Sequence, residues 1–387
     1  MRLFFVLLCI YTYTVSRAND SLSCVFRSGE VGYHTFRIPA LILAPDKSLL
    51  AFCEARKENA GDFCNLKIVL RRSTDNGKTW SDIQVVADAG NLQAGNPAPV
   101  VDMLDPQYPD GRIFLFYNTG NNHEYEVRRG NGLRQVWYIS STDNGRNWST
   151  PVNITTQVHK PNQPGSDSNY RFAEDWRSYA NTPGHAIQLA QKPYRGRIYI
   201  AANHSSGPPQ NKFEDYATHG FYTDDHGKTF QLAASVNMKG SNESTAAELS
   251  NGRLMLNSRN QQGDIRTRIV SLSSNGGQNW DTSYYDAQLP DPVNQGTLLN
   301  LGYHKGKAVL AFCNAASSNR RDSLTLRISM DEGKTWTKQW LIDHAPADFK
   351  GDYTAYCDLV LIDKKTIGIL YERKGYQQIV FRKLKWR

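Results

Sequence analysis

Short apolar runs alternate along the chain with clusters of Gly, Asn, Asp and Ser at intervals of about ten residues, the punctuation expected of many short strands. No long segment carries the period of an amphipathic helix. The pattern predicts an all-β fold. One stretch departs from it: Arg2 precedes an apolar run from Leu3 to about Val15, followed by Ser16-Arg17-Ala18. A basic start, a short apolar core and a small-x-small end predict a secretory signal peptide over residues 1–18, cut after Ala18. The run falls short of the ~20 residues of a spanning helix, and no later stretch is apolar enough to span. Residues 19–387 are therefore expected to be exported, to the periplasm or outside the cell, as a soluble protein with no membrane span.

Within the strand-like pattern one phrase recurs. STDNGKTW from Ser73 returns as STDNGRNW from Ser141, and looser copies begin at Thr223 (TDDHGKTF), Ser273 (SSNGGQNW) and Ser329 (SMDEGKTW). Physically it is a hairpin lock: the Asp accepts N–H bonds inside a tight turn, the Gly supplies a positive φ, and the aromatic packs back over the turn. It is not an EF-hand, because the position eleven residues after each Asp holds Val86, Ile154, Val236 or Ile342 in place of a bidentate Glu. The copies start 68, 82, 50 and 56 residues apart, about one four-stranded unit of roughly 40–50 residues plus loops each time. A chain this long exceeds the ~250–300 residues at which single cores stop growing, a limit that radial repetition evades. Five copies with room for one degenerate unit predict a six-bladed β-propeller. The turns resemble the Asp-boxes of the sialidase (neuraminidase) superfamily, where they lie at the rim, away from chemistry.

The formal net charge of +8 favours anionic partners. No Lys/Arg block is interleaved with aromatics, so nucleic acid is not expected, and an anionic small molecule or glycan fits as well. Cys9 falls in the signal peptide, leaving Cys24, Cys53, Cys64, Cys313 and Cys357. Cys53 with Cys64 and Cys313 with Cys357 are candidate disulfides, with buried free thiols as the alternative. No C-x-x-C spacing points to zinc or redox chemistry.

Arg37 lies in HTFRIPAL, which resembles the F/Y-R-I-P signature opening sialidase catalytic domains, where the arginine is one of three gripping the substrate carboxylate. Guanidiniums suit that task because their forked, planar bonds cannot be copied by Lys. MLNSRNQQG resembles the family strand ending in Asn-x-Arg and gives Arg259. NRRDSLTLRIS offers Arg320 and Arg321, neighbours that a strand would point to opposite faces. The family's Arg-x-x-Leu pattern selects Arg321 and leaves Arg320 as a surface charge. EARKENAGDF resembles the loop carrying another substrate-facing arginine, Arg56, and the acid/base aspartate, Asp62, although Phe63-Cys64-Asn65 replaces a more acidic stretch.

DYTAYCDLV resembles the strand bearing the catalytic tyrosine, which selects Tyr356 as nucleophile. Sialidases are the Tyr-nucleophile exception among glycosidases; a neutral phenol avoids the repulsion that a carboxylate nucleophile would meet beside the substrate's own carboxylate. A phenol of pKa ~10 needs a neighbouring base. SNESTAAEL supplies Glu243, with Glu248 as the fallback. Glu372, in LYERKG, resembles the family glutamate that orients the first arginine. Asn96, His185 and Gln295 resemble positions around the substrate: the N-acyl side, the glycerol side and a point near the site. Sequons stand at Asn147, Asn153, Asn203 and Asn242, the last beside the expected base.

The resemblance runs from about residue 24 to 382. It implies a catalytic propeller over residues 19–387, a monomer that removes terminal α-linked sialic acids from glycans, glycoproteins or glycolipids with retention, using no metal or organic cofactor. Transfer to another sugar, or an intramolecular trans-sialidase reaction, uses the same residues. A non-catalytic sialoglycan-binding propeller would be expected to lack Tyr356, Asp62 or Glu243, and all three are present.

Overall fold

A computed structural model describes residues 22–387; the expected signal peptide, residues 1–18, lies outside them. Strands make up nearly all the regular structure, with two short α-helices, Glu124–Arg128 and Thr155–Val158, set in loops. Hydrogen bonding groups the strands into five sheets, three of four strands, one of five and one of eight. The eight-stranded sheet is two antiparallel halves joined by one parallel pair, Leu66 with Gln93. The first described strand, Ser23–Arg27, pairs with Gln378–Lys385 in the last sheet, so the two ends of the chain close the ring. The fold is an all-β propeller.

The innermost strand of a sheet is buried on both faces and the outermost is half solvated. Thr35–Leu43 and Thr354–Asp363 are almost wholly buried, whereas Lys338–Asp343 is largely exposed. Apolar side chains accordingly collect between neighbouring sheets. Phe116, Val136, Ile198 and Phe221 form one such cluster and Leu326, Ile328, Leu359 and Ile369 another. Each sheet interface is a small core, which is how a chain this long packs without one oversized interior.

The repeated phrase is built as its chemistry predicts. Ser73 Oγ accepts the Gly77 N–H at 2.8 Å, and the Asp75 carboxylate accepts N–H bonds from Lys78 and Thr79 at 3.0 Å. The pattern recurs at Asp143, Asp225 and Asp331; Asn275 takes the same place with one backbone bond, from Asn279 at 3.0 Å. The glycines at 77, 145, 227, 277 and 333 have φ between 79° and 87°, a region other residues resist. Trp80 packs against Phe381 and donates its indole N–H to Ser23 Oγ at 3.1 Å. Each of the five turns follows the third strand of a four-stranded sheet, of the five-stranded sheet or of one half of the eight-stranded sheet. In an antiparallel blade that is the end opposite the N-termini of the inner strands.

Two expectations change. The five described cysteines are free thiols, so neither candidate disulfide forms. Cys53 packs among Phe36, Leu41 and Val69 as a small hydrophobe while Cys64 sits in the following loop. Cys357 donates its thiol to the Cys313 carbonyl at 3.3 Å. Of the sequons, Asn203 and Asn242 are buried, while Asn147 and Asn153 are exposed. Among the described residues no helix is long and apolar enough to cross a membrane.

Candidate active site

Tyr356 is the third residue of the inner strand Thr354–Asp363 and is 5% exposed. Its hydroxyl donates to Glu243 Oε1 at 2.5 Å and accepts from Arg259 Nη1 at 3.0 Å. Arg259 also donates to Glu243 Oε2 at 2.7 Å, closing a triangle. The guanidiniums of Arg37 and Arg321 each stand 5.5 Å from the centre of the Tyr356 ring. Three arginines and one phenol, drawn from four separate stretches of chain, therefore meet at one end of the propeller axis.

Local backbone irregularity aims these side chains. The strand registers shift between Arg37 and Ala40, Gly95 and Ala98, Ser241 and Ser244, and Thr354 and Cys357, so a bulge stands at Arg37, Asn96, Glu243 and Tyr356 alike. A bulge re-aims a side chain and leaves an N–H outside the ladder. Buried carboxylates collect three N–H groups from these bulges. Glu372 accepts Ile38 N–H at 2.9 Å and Arg37 Nε–H at 2.7 Å with one oxygen, and Tyr356 N–H at 3.2 Å with the other. Glu54 accepts the Asn96 N–H at 2.9 Å. Ile38, a β-branched residue, is held at φ 60°, a conformation costing about 1–3 kcal/mol that persists only where the surroundings impose it.

The charges are unequally compensated. Burial would weaken the Arg37 and Arg259 cations, but Glu372 and Glu243 respectively hold their pKa values above the ordinary range. Arg321 has no carboxylate partner among the described residues; it donates to Tyr376 Oη at 3.2 Å and to the Val293 carbonyl at 3.4 Å. It is the charge best placed to answer an anionic ligand. Arg320 points elsewhere, paired with Asp322 at 2.8 Å and 41% exposed. Burial, and then the Glu243 carboxylate, raise the Tyr356 phenol above its ordinary pKa despite the three arginines. The hydroxyl therefore keeps its proton in the resting site and holds it against Glu243.

Asp62 stands in the loop after Leu49–Arg56, with its side chain 74% exposed, and takes Arg56 Nη1 at 2.8 Å. Partial desolvation among its neighbours would raise its pKa, but Arg56, Arg37 and His123 together lower it. Arg56 itself is fully buried and spends its remaining donors on Glu54 and the Ala60 carbonyl, so it supports Asp62 and does not face open space. Glu248, the fallback base, lies at the other end of its strand and accepts the N–H groups of Ala190 and Gln191.

Two expected pocket residues have other places. Gln295 is 1% exposed and its amide is used on backbone, accepting Cys357 N–H at 3.0 Å and donating to the carbonyls of Cys357 and Pro183. It braces the strand of Tyr356 from behind. His185 is 7% exposed and bonds Asp358, which also receives Leu41 N–H and Thr297 Oγ1–H. It belongs to a buried knot beneath the phenol. Residues that motif reading missed are Glu54, Asp352 and Tyr376. Arg37 lies 4.0 Å above the Tyr376 ring, whose hydroxyl donates to Asp352 at 2.7 Å. The only signal for Glu54 was that a buried Arg56 requires a carboxylate.

A family model described as BNR repeat-like domain matches residues 15–370. The chain belongs to that family. A sialidase of Micromonospora viridifaciens is 31% identical over 370 residues, covering 89% of this chain and 51% of that protein. This BNR-repeat chain thus spans about half the length of that relative. Among solved structures, Hadza microbial sialidase Hz136 superposes with a TM-score of 0.76 at 24% identity, covering 94% of this chain and 68% of the other. A leech intramolecular trans-sialidase in complex with 2,7-anhydro-Neu5Ac superposes with 0.71 at 15% identity, covering 94% and 70%. These likenesses extend over most of the propeller.

Proposed function

We propose that the chain is a secreted, retaining exo-α-sialidase acting on sialylated glycans, glycoproteins or glycolipids. The observation that carries this reading is a buried phenol, bonded to a carboxylate at 2.5 Å, inside a ring of three guanidiniums. A sugar that carries its carboxylate on the anomeric carbon matches that ring: Arg37, Arg259 and Arg321 bind the carboxylate and so set the carbon beside Tyr356 Oη. Each charge-assisted bond contributes about 1.5–3 kcal/mol. Asp62, whose pKa Arg56 lowers in the resting site, must first take up a proton from solvent. As the glycosidic bond breaks, it gives that proton to the departing oxygen, Tyr356 bonds to the carbon, and Glu243 takes the phenol proton. Asp62, now a carboxylate, then removes a proton from water as that water attacks. The Tyr–carbon bond breaks, and Glu243 returns the proton to the phenolate. We also read the eight-stranded sheet as two blades, which makes six in all.

The test is hydrolysis of an aryl α-sialoside followed by proton NMR. Release of free sialic acid as the α-anomer first supports the proposal. Release of the β-anomer first, or no turnover, contradicts it; an anhydro or transferred product replaces hydrolysis by the intramolecular or transfer reaction at the same site.

A further inference from the structure

The turn end of the last two sheets, remote from the arginine–phenol cluster, gathers cations that are scattered along the sequence. In one sheet the hairpin after Gly296–His304 exposes Lys305 and Lys307, and the Asp331 turn exposes Lys334 and leads into Lys338. In its neighbour the hairpin after Thr354–Asp363 exposes Lys364 and Lys365. The last strand, Gln378–Lys385, ends beside that hairpin with Lys383, Lys385 and then Arg387. These pieces are in contact. Ala308 N–H donates to Glu332 at 3.3 Å, Trp386 N–H donates to the Lys365 carbonyl at 3.0 Å, and the buried Trp386 ring packs among Val309, Ile328 and Ile367 from both sheets. The lysine ion pairs of the described residues are those of Lys67, Lys160 and Lys239, none of them at this surface. Arg387 lies 4.2 Å over the Trp386 ring.

Three carboxylates share these turns, and each is already occupied. Glu332 is buried against Arg253 and the Ser250 N–H, Asp331 accepts the Thr335 N–H, and Asp363 accepts that of Lys365. Nine cations against three carboxylates leave a surplus of six, most of the formal net charge of +8. A single exposed charge contributes little, but neighbours within a Debye length of about 8 Å act together on one partner. Eight of the nine are lysines, flexible point charges that follow a run of anions and lack the planar fork that selects one ligand. Tyr303 is the exposed large apolar side chain at these turns, and its hydroxyl is bonded to Glu248 at 3.2 Å. One tethered tyrosine gives neither a wedge to enter lipid nor a series of faces for stacking successive bases. A membrane held here would also leave Tyr356 facing away from it. We propose that this surface docks a linear acidic polysaccharide, a chain with carboxylate or sulfate groups on successive sugars, and leaves the opposite end of the propeller open. Its binding does not depend on the sialidase reading.

Calorimetric titration of the full chain with heparin in about 0.15 M salt tests the surface without turnover. The triple variant Lys305→Gln, Lys364→Gln, Lys365→Gln replaces three exposed side chains at its centre, so folding is preserved. Heparin should bind the parent, and this variant at least about tenfold more weakly, with the fall of log K against log salt shallower by about two to three. A second triple variant, Lys78→Gln, Lys192→Gln, Lys228→Gln, removes exposed lysines at the same end of other sheets and should stay within about twofold of the parent. No binding by the parent, or equal losses in the two variants, overturns the proposal. So does duplex DNA, or a vesicle of phosphatidylserine and phosphatidylcholine, that binds the parent as tightly as heparin and fails to bind the first variant; the surface then belongs to that partner.

Discussion

The two ends of the propeller are built on opposite principles. At one end every turn is self-sufficient: Asp143 bonds the N–H groups of Arg146 and Asn147, three and four residues on, and Ser141 bonds that of Gly145. At the other end almost nothing is local. Arg37 is anchored by Glu372, 335 residues away, and Tyr356 by Glu243, 113 residues away. The turns therefore repeat as recognisable text, whereas the site exists only once the ring has closed. Damage should divide accordingly: changes among the turns should cost stability without altering chemistry, and changes at the arginine end should do the reverse.

The sharpest form of that contrast is Tyr356→Phe. Removing one oxygen from a packed ring should leave thermal unfolding nearly unchanged while kcat on an aryl sialoside falls by at least about 10³-fold, as expected for loss of a nucleophile. From the other end, Gly77→Ala places a Cβ against the Phe381 ring at φ 81°. Denaturant titration should show a loss of about 2–4 kcal/mol, with the kcat of the folded fraction retained. Next comes Arg321→Lys, expected to raise KM about tenfold by removing a forked bond to the substrate carboxylate, against less than about twofold for Arg320→Lys. The reverse order would mean that the free cation at the site is the wrong neighbour.

The smallest effect is one of pH. Burial would raise the Asp143 carboxyl, but the bonds from Asn147, Ser141 and Arg146 bring it down to about 2, below the ~3.9 of an unfolded chain. A depressed carboxylate contributes stability above the unfolded value, and that contribution is lost as pH falls from about 4 towards 2. Asp143→Asn should flatten the fall of Tm over that window, with kcat/KM at pH 6 unchanged. Because Asp143 is only half-buried and its bonds are partly screened by solvent, the change should amount to no more than a few degrees.

How legible each part was in the sequence follows from the same contrast. The turns could be read residue by residue because each of their bonds closes within four positions. The arginine and tyrosine positions came from short motifs. Arg320 and Arg321, however, lie in the loop before Leu324–Ser329 and not on a strand, so it is the ion pair of Arg320 with Asp322, not strand alternation, that turns it from the site. Glu243 and Glu248 stand towards opposite ends of their strand. Gln295 and His185 show the limit: a motif gives the neighbourhood of a residue, not whether its side chain faces the cavity or the strand behind it. Glu54 and Asp352 open two of the motifs without their roles being read, and Tyr376 lies in none, since each acquires its role only through contacts that form in the folded chain. The cysteine pairs failed for a related reason, because spacing along the chain says nothing about whether two Cβ atoms point at one another.

The central claim is that distant strands deliver a phenol, poised against Glu243, to the anomeric carbon of a bound sialic acid. The direct measurement is to inactivate the enzyme with a 3-fluorosialosyl fluoride, whose ring fluorine slows breakdown of a covalent intermediate, and to map the label by peptide mass spectrometry. A single sialosyl adduct on the peptide containing Tyr356, absent in Tyr356→Phe, is the result predicted. A label on Glu243 or Asp62, or turnover in Tyr356→Phe equal to the parent, would contradict it.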